Sequence, residues 1–453
     1  MTPLEIFFII FGSINMLGFI AFAIISHREK HHRAAQISLI FALLTLVLFS
    51  FLLFPPPLIQ KFSAGLMGIG LLTMIILFIW PNKVRIPSSP KPQSQVDERT
   101  IMFARARLKP GGDQYDAYYK DHPEHKAPDD AFRKNPGLLQ PGALFYDQKL
   151  ASSPDGDFFL AESLRDAVDG PVAEKKVKNL PEEMSRHIKN LAFYHGAKAA
   201  GICRLQPYHI YSHIGRGSGK YGAPIKLDHQ FAIAFTVEMS HEMINTGPRM
   251  PAVMESARQY AEAGKIAVAL AASIRAMGYP ARAHIDGNYR VIAPLVAKDA
   301  GLGEIGRMGL LMTPNLGPRV RLAVVTTDLP LTPDNPTWDP MVIDFCTICK
   351  KCAEVCPSQA IPFGDRETYQ DGTLRWKIDP ERCYTYWTRV GTDCGRCMAV
   401  CPYSHADNFM HNLIRYGVNH SHNFRRAAHW MDNLFYSKKP IPHSPPDWIK
   451  EIE

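Results

Sequence analysis

The chain has 453 residues, with 51 Lys and Arg against 43 Asp and Glu, a net charge of +8 and 46% hydrophobic residues. That length suits two or three domains, and the hydrophobicity is ordinary in amount but concentrated at the N-terminus. The basic excess is divided between flanks of apolar segments and the remaining surface, which argues for anionic lipid and against a nucleic-acid partner.

Residues 4–26, 36–54 and 62–80 are nearly uninterrupted apolar runs, each long enough to cross a hydrocarbon core of about 30 Å. The flank Met1-Thr-Pro-Leu-Glu5 has no positive charge and no cleavage site follows, which excludes a signal peptide; no twin-Arg motif lies nearby. Three transmembrane helices are expected. The loop His27-Arg28-Glu29-Lys30-His31-His32-Arg33 and the segment Asn82-Lys83-Val84-Arg85 are basic, whereas Pro55 to Lys61 carries one charge. The positive-inside rule then puts the long C-terminal portion in the cytoplasm. Ala64 and Gly68 form a small-xxx-small pair suited to helix packing. Glu5, Asn15 and His27 read as packing or snorkelling residues before they read as a quinone site.

Residues 86–96 form an extended Pro/Ser linker. Pro, Gly and Asp clusters from 109 to 157 indicate a loop-rich wrap. Apolar residues recur at helical spacing over 180–200, and Gln230 to Glu238 reads as a buried strand. Residues 252–277 form an Ala-rich helix stopped by Gly278 and Pro280, and Arg319 to Thr327 is another strand. Interleaved helices and strands make the core α/β (α+β). The expected organisation is an anchor over 1–82, a linker over 83–100, a core over 101–340, a cysteine-rich insert over 341–402 and a C-terminal cap, irregular and rich in His, Trp and Pro, over 403–453.

The insert carries Cys346-Thr-Ile-Cys349-Lys-Lys-Cys352-Ala-Glu-Val-Cys356-Pro357, then Cys394-Gly-Arg-Cys397-Met-Ala-Val-Cys401-Pro402. The first run has the C-x2-C-x2-C-x3-C-P spacing that wraps a cubane, with the fourth Cys of each run crossing to the other cluster. One [4Fe–4S] cluster is then expected on Cys346, Cys349, Cys352 and Cys401. The other takes Cys356, Cys394 and Cys397, with Cys383 as the nearby spare. Eight of nine cysteines are used, and Cys203 is left over. Zinc or disulfide chemistry fits poorly, since zinc knuckles lack the trailing Pro. A cluster-loaded domain also belongs in a reducing compartment.

Gly301-Leu-Gly303-Glu-Ile-Gly306 matches G-x-G-x-x-G, but the residues before it look helical, and a dinucleotide fingerprint needs a strand there. Gly217-Ser-Gly219-Lys220 resembles a P-loop without its first Gly or its Ser/Thr, and reads as a flexible loop. On spacing alone, Tyr260 is a core tyrosine of the long helix and Arg319 an ordinary strand-entry arginine.

Several stretches together resemble the reductive dehalogenase family: Asp97 to Arg105, Tyr211 to Gly215, Glu238-Met239, Ala300 to Glu304, Gly317 to Leu322 and Asp432 to Tyr436, along with the cysteine pattern. The resemblance runs from about residue 97 to the C-terminus. It implies a nitroreductase-like core over 101–340 that binds a base-off cobalamin (corrinoid) beside two [4Fe–4S] clusters; no D-x-H-x-x-G corrinoid motif is present. Carried over by position, Tyr260 matches the family's proton donor, Arg319 in Gly-Pro-Arg the cation beside it, and Asn288 a substrate-pocket asparagine. Tyr260, Arg319, Gly301, Gly303 and Gly306 are then the expected corrinoid-contacting positions.

The implied enzyme is an oxidoreductase. Clusters feed cobalt to Co(I), which attacks the organohalide at halogen or carbon, and Tyr260 protonates carbon as halide leaves. An adjacent guanidinium is expected to lower the Tyr260 pKa from its usual value near ~10. Partners are the organohalide, membrane lipid, and an electron donor such as a ferredoxin or a membrane redox partner, with no nucleic acid. Fused helices make this a multi-pass, cytoplasm-facing variant in the inner membrane, unlike members that carry a Tat signal and dock on a separate anchor. The alternatives are an epoxyqueuosine reductase-like corrinoid enzyme and a membrane-bound iron–sulfur electron-transfer subunit.

Overall fold

The computed structural model describes residues 1–79, 85–336 and 339–450; Lys83 of the basic segment after the third apolar run lies outside them. The chain divides into two units, Met1–Ile86 with His405–Ile441, and Pro87–Ser404 with Pro442–Glu453.

In the first unit, α1 (Pro3–Arg28), α2 (His32–Phe51) and α3 (Pro57–Ile79) are long and apolar enough to cross a membrane. Thr2 and Glu5 form a reciprocal capping box at the start of α1, satisfying amides that a helix end leaves unpaired. Asn15 Nδ2 donates to the Phe11 carbonyl at 2.8 Å, so two polar residues of the first run serve their own helix. The small-residue contact falls at Gly12 rather than at Ala64 and Gly68. A Cβ on Gly12 would lie 2.6 Å from Phe49 of α2, while Gly68 has no neighbour within 4 Å. The tail read as irregular instead forms two amphipathic helices, α12 (Phe409–His420) and α13 (His422–Tyr436). Phe435 meets Phe22 edge-on at 5.5 Å, and Phe424 meets Phe78 of α3 at 4.9 Å.

In the second unit the segment after residue 86 is extended, as expected, but is pinned to its neighbours. Gln93 N donates to Asp371 O at 2.9 Å, and Ser212 N to Val96 O at 2.9 Å. The stretch read as loop-rich contains α4 (Asp113–Asp121), α5 (Pro123–Phe132) and α6 (Gln148–Ser163). Pro128 and Pro154 sit inside the last two, where composition argues against helix. Then follow α7 (Pro181–Tyr194), β1 (Ala199–Arg204), β2 (Phe231–Glu238), α8 (Met250–Ala276), β3 (Ala281–His284), α9 (Ala293–Asp299), the hairpin β4 (Glu304–Ile305) and β5 (Leu311–Met312), and β6 (Val320–Thr327). The insert contributes α10 (Pro340–Cys349) and α11 (Pro380–Val390).

The main sheet has the order β1-β2-β6-β3, with every neighbouring pair antiparallel. Strand alternation splits the core into two layers. Phe231, Ile233, Phe235, Ala323 and Val325 pack with Ala267, Leu270 and Ile274 of α8. Ala232, Ala234 and Val324 pack with Val296 and Ala297 of α9 on the other face. The fold is therefore mixed helix and sheet, with helices on both faces. Gly278 ends α8 at φ +87, and a Cβ there would lie 2.6 Å from the Lys175 carbonyl, so only glycine fits.

Candidate active site

Odd-numbered β6 residues face α8, and this phase brings Arg321 to Tyr260. The Arg321 guanidinium carbon lies 4.8 Å from the Tyr260 ring centroid, within cation–π range. Ser256, one turn earlier on α8, contacts both Arg321 Nη2 and Asp393 Oδ2 through its hydroxyl. Arg321 Nη2 and Asp393 Oδ2 are themselves 3.1 Å apart. Phe158 is 6.4 Å from the Tyr260 ring, and the Tyr289 hydroxyl donates to Leu322 O at 3.1 Å. Tyr260 is half-buried, and beside it Arg321 Nε and Asp393 Oδ1 are buried with no hydrogen-bond partner among the described residues. Such groups are costly unless a ligand meets them.

Burial pushes the Tyr260 phenol up from its usual range. Arg321 pulls it down but does not win, and Asp286 and Asp393 add to the rise. The expected lowering by a neighbouring cation is thus outweighed, and the phenol is held in its proton-bearing form. The same neighbours, Tyr260 first, raise Arg321 against its desolvation.

Arg319, expected as that cation, lies elsewhere. It is buried; its Nε donates to Ser404 O at 3.0 Å, and Nη1 pairs with Glu238 Oε1 at 2.9 Å and contacts Met239 O. Arg319 and Arg321 share a strand face, about 7 Å apart, so the Gly-Pro-Arg motif selects the first although the second meets the tyrosine. Asn288 is fully buried with its amide committed to the scaffold. Oδ1 accepts from Arg282 Nη2 at 2.9 Å, while Nδ2 donates to Arg165 O at 3.0 Å and to the Ser218 hydroxyl at 3.2 Å. It anchors the Gly217–Gly219 loop, where a Cβ on Gly217 would strike its Oδ1 at 2.5 Å.

The glycine motif follows a helix, α9, and opens a hairpin, which removes the dinucleotide reading on geometry. A Cβ on Gly303 would lie 2.1 Å from Met312 O; one on Gly306 would lie 3.4 Å from Cys346 Sγ. Gly306 therefore admits the first cysteine run to the core. Arg307, which sequence reasoning missed, is fully buried. It donates to the carbonyls of Cys346, Pro362 and Gly364 at 3.0, 2.7 and 2.8 Å and stacks over Trp376.

The buried cysteine thiols lie close enough to raise one another. Cys352 is raised by burial and then by Cys346, Cys401, Cys397 and Cys349. Cys383 is pushed up to about 12 by burial and then by Cys397 and Cys356, and Cys394 is raised by burial with contributions from Cys397 and Cys383. Crowded buried thiols ionise together only when a cation is among them, which is the service cluster iron performs. Gly247 lets the loop before α8 approach this region: a Cβ there would lie 2.4 Å from Cys394 O. Cys203 is separate, buried in the β1 layer and pushed up to about 12 by desolvation.

The chain thus joins a mixed helix–sheet core to a cysteine-rich insert, with Arg321 of β6 tied to Asp393 beside Cys394. Residues 345–405 match the 4Fe-4S dicluster domain. The chain is similar to the tetrachloroethene reductive dehalogenase of Sulfurospirillum multivorans, with 33% identity over 274 residues, 53% of this chain and 54% of that protein. Among solved structures it resembles the catabolic reductive dehalogenase NpRdhA in complex with 3-bromo-4-hydroxybenzoic acid, with TM-score 0.65 and 27% identity over 79% of this chain and 49% of that one. It also resembles a reductive dehalogenase whose structure suggests a mechanism for B12-dependent dehalogenation, with TM-score 0.63 and 26% identity over 79% and 49%. The chain spans about half the length of these relatives. It is related to the reductive dehalogenases, which are oxidoreductases, and shares their iron–sulfur domain.

Proposed function

We propose that this chain is a membrane-anchored reductive dehalogenase that removes halide from an organohalide with a corrinoid fed by two [4Fe–4S] clusters. The observation that carries the reading is the Tyr260 ring beneath the Arg321 guanidinium, whose buried Nε is unpartnered among the described residues. That guanidinium is in turn tied to Asp393, the residue before Cys394. The residues fit a bound redox group here, because the site's unpartnered polar atoms answer to a ligand rather than to protein. Tyr260 would border the corrinoid, with Tyr289 and Asp286 in the same electrostatic field. A corrinoid held here would supply a strongly reducing cobalt centre for carbon–halogen cleavage.

The overall change consumes two electrons and one proton: the carbon–halogen bond breaks, a carbon–hydrogen bond forms and halide leaves. Tyr260 holds the proton and delivers it from Oη to carbon. Its raised pKa keeps the donor loaded at neutral pH, and Arg321 faces the phenolate that delivery leaves behind. Asp393 and Ser256 fix Arg321, so the positive charge is in place before the phenolate forms. Cys346, Cys349, Cys352 and Cys401 would hold one cluster, and Cys356, Cys383, Cys394 and Cys397 the other.

Three apolar helices support a multi-pass anchor, and the basic α1–α2 turn supports a cytoplasmic soluble unit. The first unit also favours a membrane redox partner over a soluble ferredoxin as donor. Around that turn, Glu29 and His31 meet His405, His411, Asp432 and Tyr436. His405 Nε2 is 3.0 Å from Asp432 Oδ1, and His411 Nε2 is 3.0 Å from the Tyr436 hydroxyl. Asn408 Nδ2 is 2.7 Å from Glu29 Oε1, and His31 packs edge-on against Tyr436 at 4.9 Å. A buried, proton-exchanging cluster at the end of membrane helices suits a carrier that gives up protons with its electrons.

The deciding experiment is metal analysis of detergent-purified protein from a corrinoid-supplied host, followed by halide release across an organohalide panel. About one cobalt and eight irons per chain, with halide release lost in Tyr260→Phe, is expected. Iron without cobalt in folded protein would leave a membrane electron carrier as the better account.

A further inference from the structure

A second constellation of metal-ligating side chains lies in the second unit, at the corner between α4 and α5. His122 is the N-cap of α5, and Glu124 and His125 occupy its first turn. The potential ligand atoms of these three residues all lie within 4.8 Å of one another. His122 Nδ1 is 3.5 Å and His125 Nε2 is 3.8 Å from the same carboxylate oxygen, Glu124 Oε1. In a tetrahedral zinc site with bonds of about 2.0–2.1 Å, neighbouring ligand atoms stand about 3.4 Å apart. Closing the triad on a metal ion thus takes shifts of a few tenths of an ångström along the two carboxylate edges and no more than about 1.4 Å between the imidazoles.

The surroundings are those of a prepared ligand set. Tyr118 is buried on α4, and its hydroxyl lies 2.8 Å from His125 Nδ1. That contact fixes the ring with Nε2 turned to Glu124, the outer-shell arrangement that orients metal-bound histidines. The Tyr118 ring also packs against His122, with centroids 4.7 Å apart, and the two imidazoles stack at 5.7 Å. Both histidines are thereby held against one phenol.

We infer that His122, Glu124 and His125 form a binding site for zinc or a similar borderline divalent cation, with a fourth position open to water. Two imidazoles and one carboxylate select such a metal over magnesium or calcium, which prefer all-oxygen shells. The ion would clamp the α4–α5 corner. That corner is braced by Tyr119 on Asp129 at 2.7 Å, and by Arg105, which reaches Glu381 on α11 at 2.5 Å. The site is independent of the dehalogenase reading: it shares no residue with the Tyr260 site or the cysteine groups.

The test uses the full-length, cluster-loaded protein in detergent, stripped of loose metal by a mild chelator and titrated anaerobically with zinc alone. Expected is one saturable site per chain, with X-ray absorption showing only nitrogen and oxygen neighbours near ~2.0–2.1 Å. Zinc stoichiometry should fall to baseline in His122→Ala/His125→Ala and weaken at least ~10-fold in Tyr118→Phe, while iron per chain stays constant. Sulfur neighbours near ~2.3 Å would mean that zinc has entered the cysteine sites and would overturn the proposal. So would binding too weak to survive the chelator, or zinc content equal in wild type and double variant.

Discussion

Arg321 Nη2 stands 3.1 Å from Oδ2 of Asp393, the residue that immediately precedes Cys394. One side of this pair faces a tyrosine ring and the other continues covalently into a candidate cluster ligand. A strand residue of the core and a loop residue of the insert are thus joined through two partly buried charges, with the Ser256 hydroxyl between them. The pairing makes Asp393 a positioning residue for Arg321. Asp393→Asn keeps the shape and removes the charge. It should lower halide release about 10- to 100-fold, as loss of an orienting partner does. Iron content and corrinoid absorbance should match wild type, and the loss should lie in kcat rather than KM. Unchanged kcat would show that Ser256 alone holds the guanidinium.

Tyr260→Phe removes one hydroxyl from a half-buried residue, so the fold should tolerate it. Loss of a positioned general acid costs about 10²- to 10⁴-fold, and turnover should fall by that much with cofactor content intact. The pH profile gives a separate check. The Tyr260 pKa is raised, so the proton-bearing form is complete below the usual tyrosine value near ~10 and is lost only as pH rises through the raised value. Turnover limited by this proton should stay flat from neutrality to about pH 9 and decline beyond. In Arg321→Met the larger of the two influences that lower this pKa is gone, so the decline should move to higher pH. A decline near neutrality in wild type would point to another acid.

Much of this was legible in sequence. The three apolar runs, the strands around Phe231–Glu238 and Val320–Thr327 and the long α8 announce themselves by period, and the cysteine spacing announces the 4Fe-4S dicluster domain. Other features depend on tertiary partners. Helices α5 and α6 contain Pro128 and Pro154, and α12 and α13 sit in a His- and Trp-rich tail, so composition hid all four. The choice between Arg319 and Arg321 turns on which of two same-face arginines lies opposite Tyr260. The phase of β6 narrows that choice to odd positions, and only the placement of α8 settles it. Asp393 adjoins a cysteine motif and gave no signal of its own, because its partner is 72 residues away.

Arg319 offers a contrast that separates structure from chemistry. It is 1% exposed and pairs with Glu238, 28% exposed, while tying Ser404 to the end of β2. Removing one member of a largely buried pair costs about 3 kcal/mol or more. Arg319→Ala should therefore lower the unfolding midpoint measurably and reduce the yield of cluster-loaded protein. The molecules that do fold should turn over at near wild-type rates. A large kcat loss in fully loaded, stable Arg319→Ala protein would restore Arg319 to the catalytic position.

The polar cluster of the first unit predicts dependence on the electron donor. Burial, then His405 and Arg415, pushes His411 down to about 2, so its imidazole is neutral, with Nε2 hydrogen-bonded to the Tyr436 hydroxyl. Tyr436→Phe removes that partner with little change in packing. If protons leave a membrane quinol through this cluster, turnover driven by a short-chain quinol should fall at least ~10-fold. Turnover driven by a reduced viologen, which carries no proton, should stay at the wild-type rate. Equal loss with both donors would mean that the substitution disturbs the first unit's packing rather than a proton route. Equal retention would favour a soluble ferredoxin that delivers electrons to the second unit directly.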